Sequence, residues 1–416
     1  MSKSVIMGCF NSEAFWKEGH TCDLPTLREK ETANIIETMD EMLFVLGKSG
    51  DFLMTKYQMP KFFERYLNEV GFEFECVAPE ETAKIAGSYL NTYAVLPNTE
   101  AILNQYDLKG NFPSIKCVRL VNSKSYSTRL YEKIGLKPIG QIVTNLDELM
   151  EVGNQLLEAG DFLIKEPMGV SGQGNLLIDG EKTLSRMKRY FEKQEKKGKK
   201  IEFILEPMLQ KKIDFSCEFE LDEAGNVNFL SIQKILNKGF GYLGSVTADA
   251  DFKAFLESKD YFNVMLKVGE NLHEAGYFGS VCVDSMILED DQIVPIVEIN
   301  ARKSMGFINY YVAQKVLPMG YQSMLTFLSV GYEGQISFKD FFESLKAAGL
   351  LFDREKGYVL PLTSHALTIN STESKTQSMH KGRLYVAILY KENQQPEVLL
   401  KEFKDFCINY GMKLYN

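Results

Sequence analysis

Histidine and cysteine, the usual carriers of enzyme chemistry, are sparse here and badly spaced for it. The four histidines (His20, His273, His365, His380) show no spacing that suggests a metal site or a Ser-His-Asp device. The seven cysteines (Cys9, Cys22, Cys76, Cys117, Cys217, Cys282, Cys407) are scattered, with no CxxC pair. That set fits a reducing compartment better than a disulfide framework. A GxxxxGK[ST] loop is missing, which excludes a Walker-type phosphate site. No apolar run approaches the ~20 residues that span a bilayer. The opening MSKSVIMGCF has too short an apolar run for a signal peptide. Positive charge is in deficit: 47 Lys and Arg against 56 Asp and Glu give a net charge of −9. With a pI of about 5.3, nucleic acid is not expected as the main partner. The expected location is the cytoplasm, with no membrane partner.

What is present is a globular composition, 45% hydrophobic and 25% charged over 416 residues. That length predicts roughly two to four domains. Residues 1–115 read as an α/β unit. Ser4 to Cys9 and Phe52 to Met54 are strand candidates, Leu27 to Leu46 carries helical spacing, and Pro60 to Val70 is a helix closed by Gly71. Trp16, His20 and Cys22 are assigned structural or surface roles. Lys116 to Leu120 predicts a strand. Asn122-Ser123-Lys124 then opens a helix, Ser125 to Ile134. Asp161 to Glu166 predicts a strand with Lys165 inside its apolar pattern. GVSGQGN at 169–175 follows, then a second strand, Leu176 to Asp179. Glycines between two antiparallel strands let backbone N–H groups approach phosphate oxygens closely. A second cluster, GFGYLG at 239–244, spells GxGxxG but opens no striped helix, so it reads as a mobile loop.

The run at 188–200 carries seven Lys or Arg against two Glu; it is a solvated helix face or a docking surface for an acidic macromolecule. Phe203 to Leu205 reads as a buried strand that Pro207 stops from pairing normally, leaving backbone groups free beyond it. Asp214 follows, then the alternating strand Phe215, Cys217, Phe219, then a strand over Asn228 to Leu236. A helix is predicted over Tyr310 to Leu317. The tail predicts a helix at Phe338 to Leu350, strands at Tyr358 to Ile369 and Gly382 to Tyr390, and a last helix, Glu397 to Tyr410.

The chemistry concentrates in Tyr277 to Arg302. Ser280 to Leu288 and Gln292 to Asn300 form a predicted hairpin about the turn Glu289-Asp290-Asp291. Glu298 and Asn300 are two apart, so a strand points both to one face. Pairing can bring Asp284 opposite them. Two carboxylates and an amide oxygen suit Mg²⁺, or Mn²⁺, as hard cations with oxygen ligands. Arg302 follows on the same face.

Taken in order, these parts over residues 116–320 resemble the ATP-grasp ligase superfamily. The resemblance implies an α/β (α+β) class, an ATP-grasp fold with a Rossmann-like front domain and a small C-terminal α+β domain. Its divisions would be 1–115, 116–205 with the flap, 206–330 with the metal site, and 331–416. It implies ATP and Mg²⁺ as cofactors. Lys124 and Lys165 would contact phosphates, and Gly169, Ser171, Gly172 and Gly174 would form the flap. Glu206, Pro207, Met208 and Leu209 would form the adenine hinge, with Asp214 on the ribose. Asp284, Glu298 and Asn300 would hold metal. Lys165, Lys234 and Arg302 would act catalytically, Arg302 as a clamp on a carboxylate or acyl phosphate, a role Lys303 could share. A narrower resemblance, to natural-product ligases including one that joins glutamate to an acyl carrier protein, implies antibiotic biosynthesis. It also implies an amino-acid substrate, L-glutamate first, and an acidic carrier docking on 188–200. A free-amine acceptor and, less favoured, a kinase reaction stay open, and the resemblance allows a homodimer.

Overall fold

The computed structural model describes every residue except 1, 26–29, 170–173, 240 and 374–378. Among the described residues the strands form three sheets. The front sheet is parallel, in the order Glu75–Cys76, Phe52–Leu53, Ser4–Met7, Tyr89–Thr92. A small antiparallel sheet orders Gln141–Val143, Phe203–Pro207, Phe162–Lys165, Asn175–Ile178. The central sheet is antiparallel: Ile293–Asn300, Gly279–Leu288, Lys211–Leu221, Val227–Lys238, Gly241–Thr247, Gln322–Glu333, Met379–Tyr390, Val359–Pro361. Lys413–Leu414 pairs beside Gln322–Glu333. The tail therefore extends the central sheet, and a division at 330 falls inside a strand.

Alternation in Lys211–Leu221 sets the two faces of the site end. Phe215, Cys217, Phe219 and Leu221 are buried on one face. Helices Ala250–Ser258 and Tyr261–Glu274 cover them, with the Phe215 ring 5.4 Å from Phe252 and 5.2 Å from Tyr261. Each such fully buried large side chain contributes about 1.5–3 kcal/mol. Asp214, Ser216, Glu218 and Glu220 therefore share the opposite face.

Five sequence expectations need correction. Lys116 to Leu120 is helical, within Ile115–Val121. The Ser114 hydroxyl accepts from the Cys117 N–H at 3.2 Å as an N-cap, and Cys117, Val118 and Val121 bury one helical face. Leu27 to Leu46 divides into helix Lys30–Glu37 and a 3₁₀ turn, Met39–Leu46. The GFGYLG loop is instead a hairpin: Gly239 turns at φ +60, and Gly241–Thr247 is a strand. A Cβ at Gly244 would overlap the Leu325 carbonyl oxygen, so that glycine serves close strand packing. Pro207 does not end its strand early; it pairs opposite Phe162, and the Met208 N–H donates to Asp161 O at 2.9 Å. The strand over Tyr358 to Ile369 shortens to Val359–Pro361.

Candidate active site

Two cross-strand rows build the floor of the site. Ser216, Asp284 and Glu298 stand opposite one another on three neighbouring strands, as do Glu218, Cys282 and Asn300. The predicted convergence of Asp284, Glu298 and Asn300 is therefore met. Asn300 Nδ2 donates to Asp284 Oδ2 at 2.9 Å. Burial, then the Glu298 charge, holds the Asp284 carboxyl up to about 7. Glu218 is fully buried, with one oxygen accepting from the Ser216 hydroxyl at 2.6 Å and the other unpartnered. Burial pushes its carboxyl up to about 8.

Among the described residues no group of three or more His, Cys, Asp or Glu side chains is gathered for a metal. The set here is two carboxylates and an amide. All of its donors are oxygens, and Asp284 faces Glu298 across the hairpin, which fits a hard cation.

Lys124 reaches this floor from the first turn of helix Lys124–Lys133, which Ser123 caps. Its buried Nζ donates to Glu298 Oε1 at 2.7 Å and to Gly169 O at 3.1 Å, tying the hairpin of Asp284 and Glu298 to the start of the glycine-rich segment. Gly174 closes that flap at φ +83, where its carbonyl accepts from the Glu166 N–H at 2.7 Å. Ser171 and Gly172 lie outside the described residues.

Lys165, Glu206, Pro207, Met208, Leu209, Asp214, Asp284, Glu298, Asn300 and Arg302 all line one cavity of about 290 Å³. Lys165 is buried and ion-paired with Glu206. Asp214 Oδ2 accepts from Lys211 Nζ at 2.6 Å and from Asn237 Nδ2 at 2.7 Å. Lys234 is not brought there. It stands opposite Phe215, on the helix-covered face, with Nζ 2.6 Å from Asp249 Oδ2 and 4.7 Å from the centre of the Phe252 ring. Its neighbour Gln233 takes the site face, buried opposite Ser216.

Arg302 lines the cavity, yet it is not an open clamp. Its Nε and one terminal nitrogen both bond Glu13, and that nitrogen also reaches Asn300 Oδ1 at 3.0 Å. The other terminal nitrogen donates to Lys303 O at 2.9 Å and Tyr93 OH at 3.3 Å. Burial disfavours this charge, and the Glu13 carboxylate more than offsets it, so the guanidinium stays ionised. Lys303 faces away, with Nζ on Thr92 O at 2.8 Å.

Sequence reasoning missed Glu13, Lys211, Glu218 and Asn237. Polar residues alternating with the apolar run 215–221 could have marked Glu218. Nothing local marks Glu13, which meets Arg302 across 289 positions. Residues 1–115 supply Phe10, Met39 and Tyr93 to the cavity wall.

No family model matches the sequence. The chain is 22% identical over 292 residues to the [butirosin acyl-carrier protein]–L-glutamate ligase of Niallia circulans, covering 67% of each. Among solved structures it is similar to an L-amino acid ligase from Bacillus licheniformis (13% identity, TM-score 0.55, 99% and 98% of the two chains). It is also similar to a biotin carboxylase–β,γ-ATP complex from Campylobacter jejuni (13%, 0.56, 100% and 92%). A third likeness is to N5-carboxyaminoimidazole synthetase from Staphylococcus aureus complexed with ADP (11%, 0.51, 97% and 97%). Over nearly its whole length the chain thus has the ATP-grasp fold that these structures share.

Proposed function

We propose that the protein is an ATP-dependent ligase that activates an amino-acid carboxylate and passes the acyl group to an amine or a thiol. One observation carries this reading: a single sheet face aligns Asp214, Asp284, Glu298 and Asn300 along one cavity, walled by Lys165 and the hinge. ATP would lie with its ribose at Asp214 and its phosphates toward Asp284 and Lys124. Lys165 and Lys124 would exchange Glu206 and Glu298 for phosphate oxygens. Asp284, Glu298 and Asn300 would hold a divalent cation, Mg²⁺ or Mn²⁺, which when bound neutralises phosphoryl charge. The substrate carboxylate oxygen attacks the γ-phosphorus, the bond to the β-phosphate oxygen breaks, and ADP leaves. The acyl phosphate is then displaced by the acceptor, releasing phosphate and a proton. Positioning and charge stabilisation do most of this work, and flap closure would keep water from the acyl phosphate. Arg302 orients Asn300 and, on releasing Glu13, could meet the carboxylate bidentately.

The relative in Niallia circulans is named for glutamate and an acyl carrier protein. L-Glutamate is therefore the first acid to try, and a phosphopantetheinylated carrier the first macromolecular acceptor. Helix Glu181–Glu195 carries Arg186, Arg189 and Lys193 toward one groove with Lys196, which suits an acidic carrier. A homodimer, in an antibiotic pathway, belongs to the same proposal. The test is ADP release across amino acids with hydroxylamine as trap, with the carrier weighed by mass spectrometry. A hydroxamate supports the ligase. A stable phosphorylated product without hydroxamate would instead favour a kinase.

A further inference from the structure

The polar face of Lys211–Leu221 does not stop at the metal row. Beyond Asp214, Ser216 and Glu218 it presents Glu220, paired opposite Ser280. At about 3.3 Å per residue, Glu220 lies roughly 13 Å past Ser216, away from the hinge. A second cavity of about 290 Å³ opens there, between the front domain and the central sheet. Tyr93 and Arg302 line both cavities, so the partition is one layer of side chains.

Three charged side chains line this second space, and Arg302 is already paired with Glu13, which leaves Glu220 and Lys303. Among the described residues Glu220 accepts only from the Ser280 hydroxyl, at 2.7 Å, through one of its oxygens. Lys303 uses one of three donors, on Thr92 O at 2.8 Å. Among the described residues no ion pair joins them, or joins either to another group. Lys303 and Glu220 are both half-buried, so each keeps hydrogen-bonding capacity turned toward this cavity that a bound polar molecule can take up. The remaining wall is mixed: rings such as Tyr277 and Tyr311, small apolar residues, and the amides of Asn91 and Asn111. Burial lowers the Lys303 pKa, while the Glu220 charge acts to raise it.

We propose that this cavity binds an α-amino acid as its zwitterion, ammonium on Glu220 and carboxylate on Lys303, and that this amino acid is the acceptor of the ligation. The proposal rests on the ligase reading above. The order along the face is then ribose, phosphates, donor carboxylate, acceptor. Attack requires Arg302 to leave Glu13 and open the partition, after which the acceptor nitrogen leaves Glu220 and sheds one proton before attack and one after. It bonds the acyl carbon as the acyl C–O bond breaks, and phosphate leaves with that electron pair.

The test is calorimetric titration of the protein with the proteinogenic amino acids, without ATP, then with the decarboxylated amine of the tightest binder. The amine should bind at least tenfold more weakly, and Lys303→Met should abolish that preference. Glu220→Gln should weaken the amino acid at least tenfold. In turnover the acceptor KM should rise in both variants by the same factors, while the ATP KM moves less than twofold. Both substitutions are near-isosteric, and unchanged melting curves establish that the variants fold. Equal binding of amine and amino acid, wild-type behaviour of folded variants, or transfer to a carrier thiol alone overturns the proposal. Absence of any hydroxamate would remove the ligase reading, and with it the acceptor role. The calorimetric pattern would still support the zwitterion site.

Discussion

The two ends of the central sheet solve different problems. At the site end, Lys211–Leu221 and its neighbours bury one face and keep acids on the other. At the far end, Gln322–Glu333 and Met379–Tyr390 are buried on both faces for most of their length, with Leu384 to Leu389 in unbroken core. Apolar burial on both faces fixes pairing and supplies stability. The site end does the reverse: Asp284 and Glu218 are held where their ionised forms are disfavoured. That strain is the usual mark of a surface built to meet charge from outside. The far end also anchors the front domain. Glu41, fully buried, accepts from Ser364 N–H at 2.6 Å and His365 N–H at 3.0 Å.

Substitutions can break this contrast, and the largest effect should come at Asp284. Asp284→Asn should cut ADP release by about a thousandfold or more, since a transition-state charge ligand is lost. Stability should move the other way. The folded pKa, about 7, exceeds the ordinary 3.8, so this carboxyl's stabilisation is present below pH 3.8 and is lost as pH rises through 7. At pH 8, without nucleotide or metal, the variant should melt above the parent. A lower melting point would show that Asp284 holds the fold together rather than the ligand.

At the far end the pattern should invert. Ile388→Ala, at a fully buried position, should cost about 2–5 kcal/mol in urea unfolding. The ATP KM should stay within twofold. A larger KM change would mean that the two ends are coupled. Glu13→Gln should fall between. It weakens the hold on Arg302, and with it the placement of Asn300. A roughly ten- to hundredfold loss in kcat with little change in melting temperature is expected from a misplaced positioning group. The smallest effect should be that of Lys234→Ala, less than twofold in kcat/KM. Its partly exposed pair with Asp249 is worth about 0–1 kcal/mol, and it sits on the face away from the cavity.

The parts read correctly from sequence were those whose signal is local. Ser123 before Lys124, the two-residue step from Glu298 to Asn300, and Lys165 within an apolar strand each carry their own periodicity. Lys234 failed because Gln233 and Lys234 are equivalent as letters; only the register against Phe215 and Ser216 assigns one to each face. The GxGxxG at 239–244 failed for a related reason. Its last glycine answers to a backbone on a strand some eighty positions later, at Leu325. The helix at Ile115–Val121 was legible in principle, through Ser114 and the three-residue spacing of Ile115, Val118 and Val121.

The sequence by itself determined most of the strands around the cavity and the shared face of Asp284, Glu298 and Asn300, because alternation and caps act over a few residues. Tertiary structure alone decided that Glu13 holds Arg302 and that Glu218 is buried beneath Gly306, where a Cβ would overlap its carboxylate. It also set Lys303 and Glu220 around a second cavity. Such contacts join positions tens to hundreds of residues apart, and only packing brings them within reach.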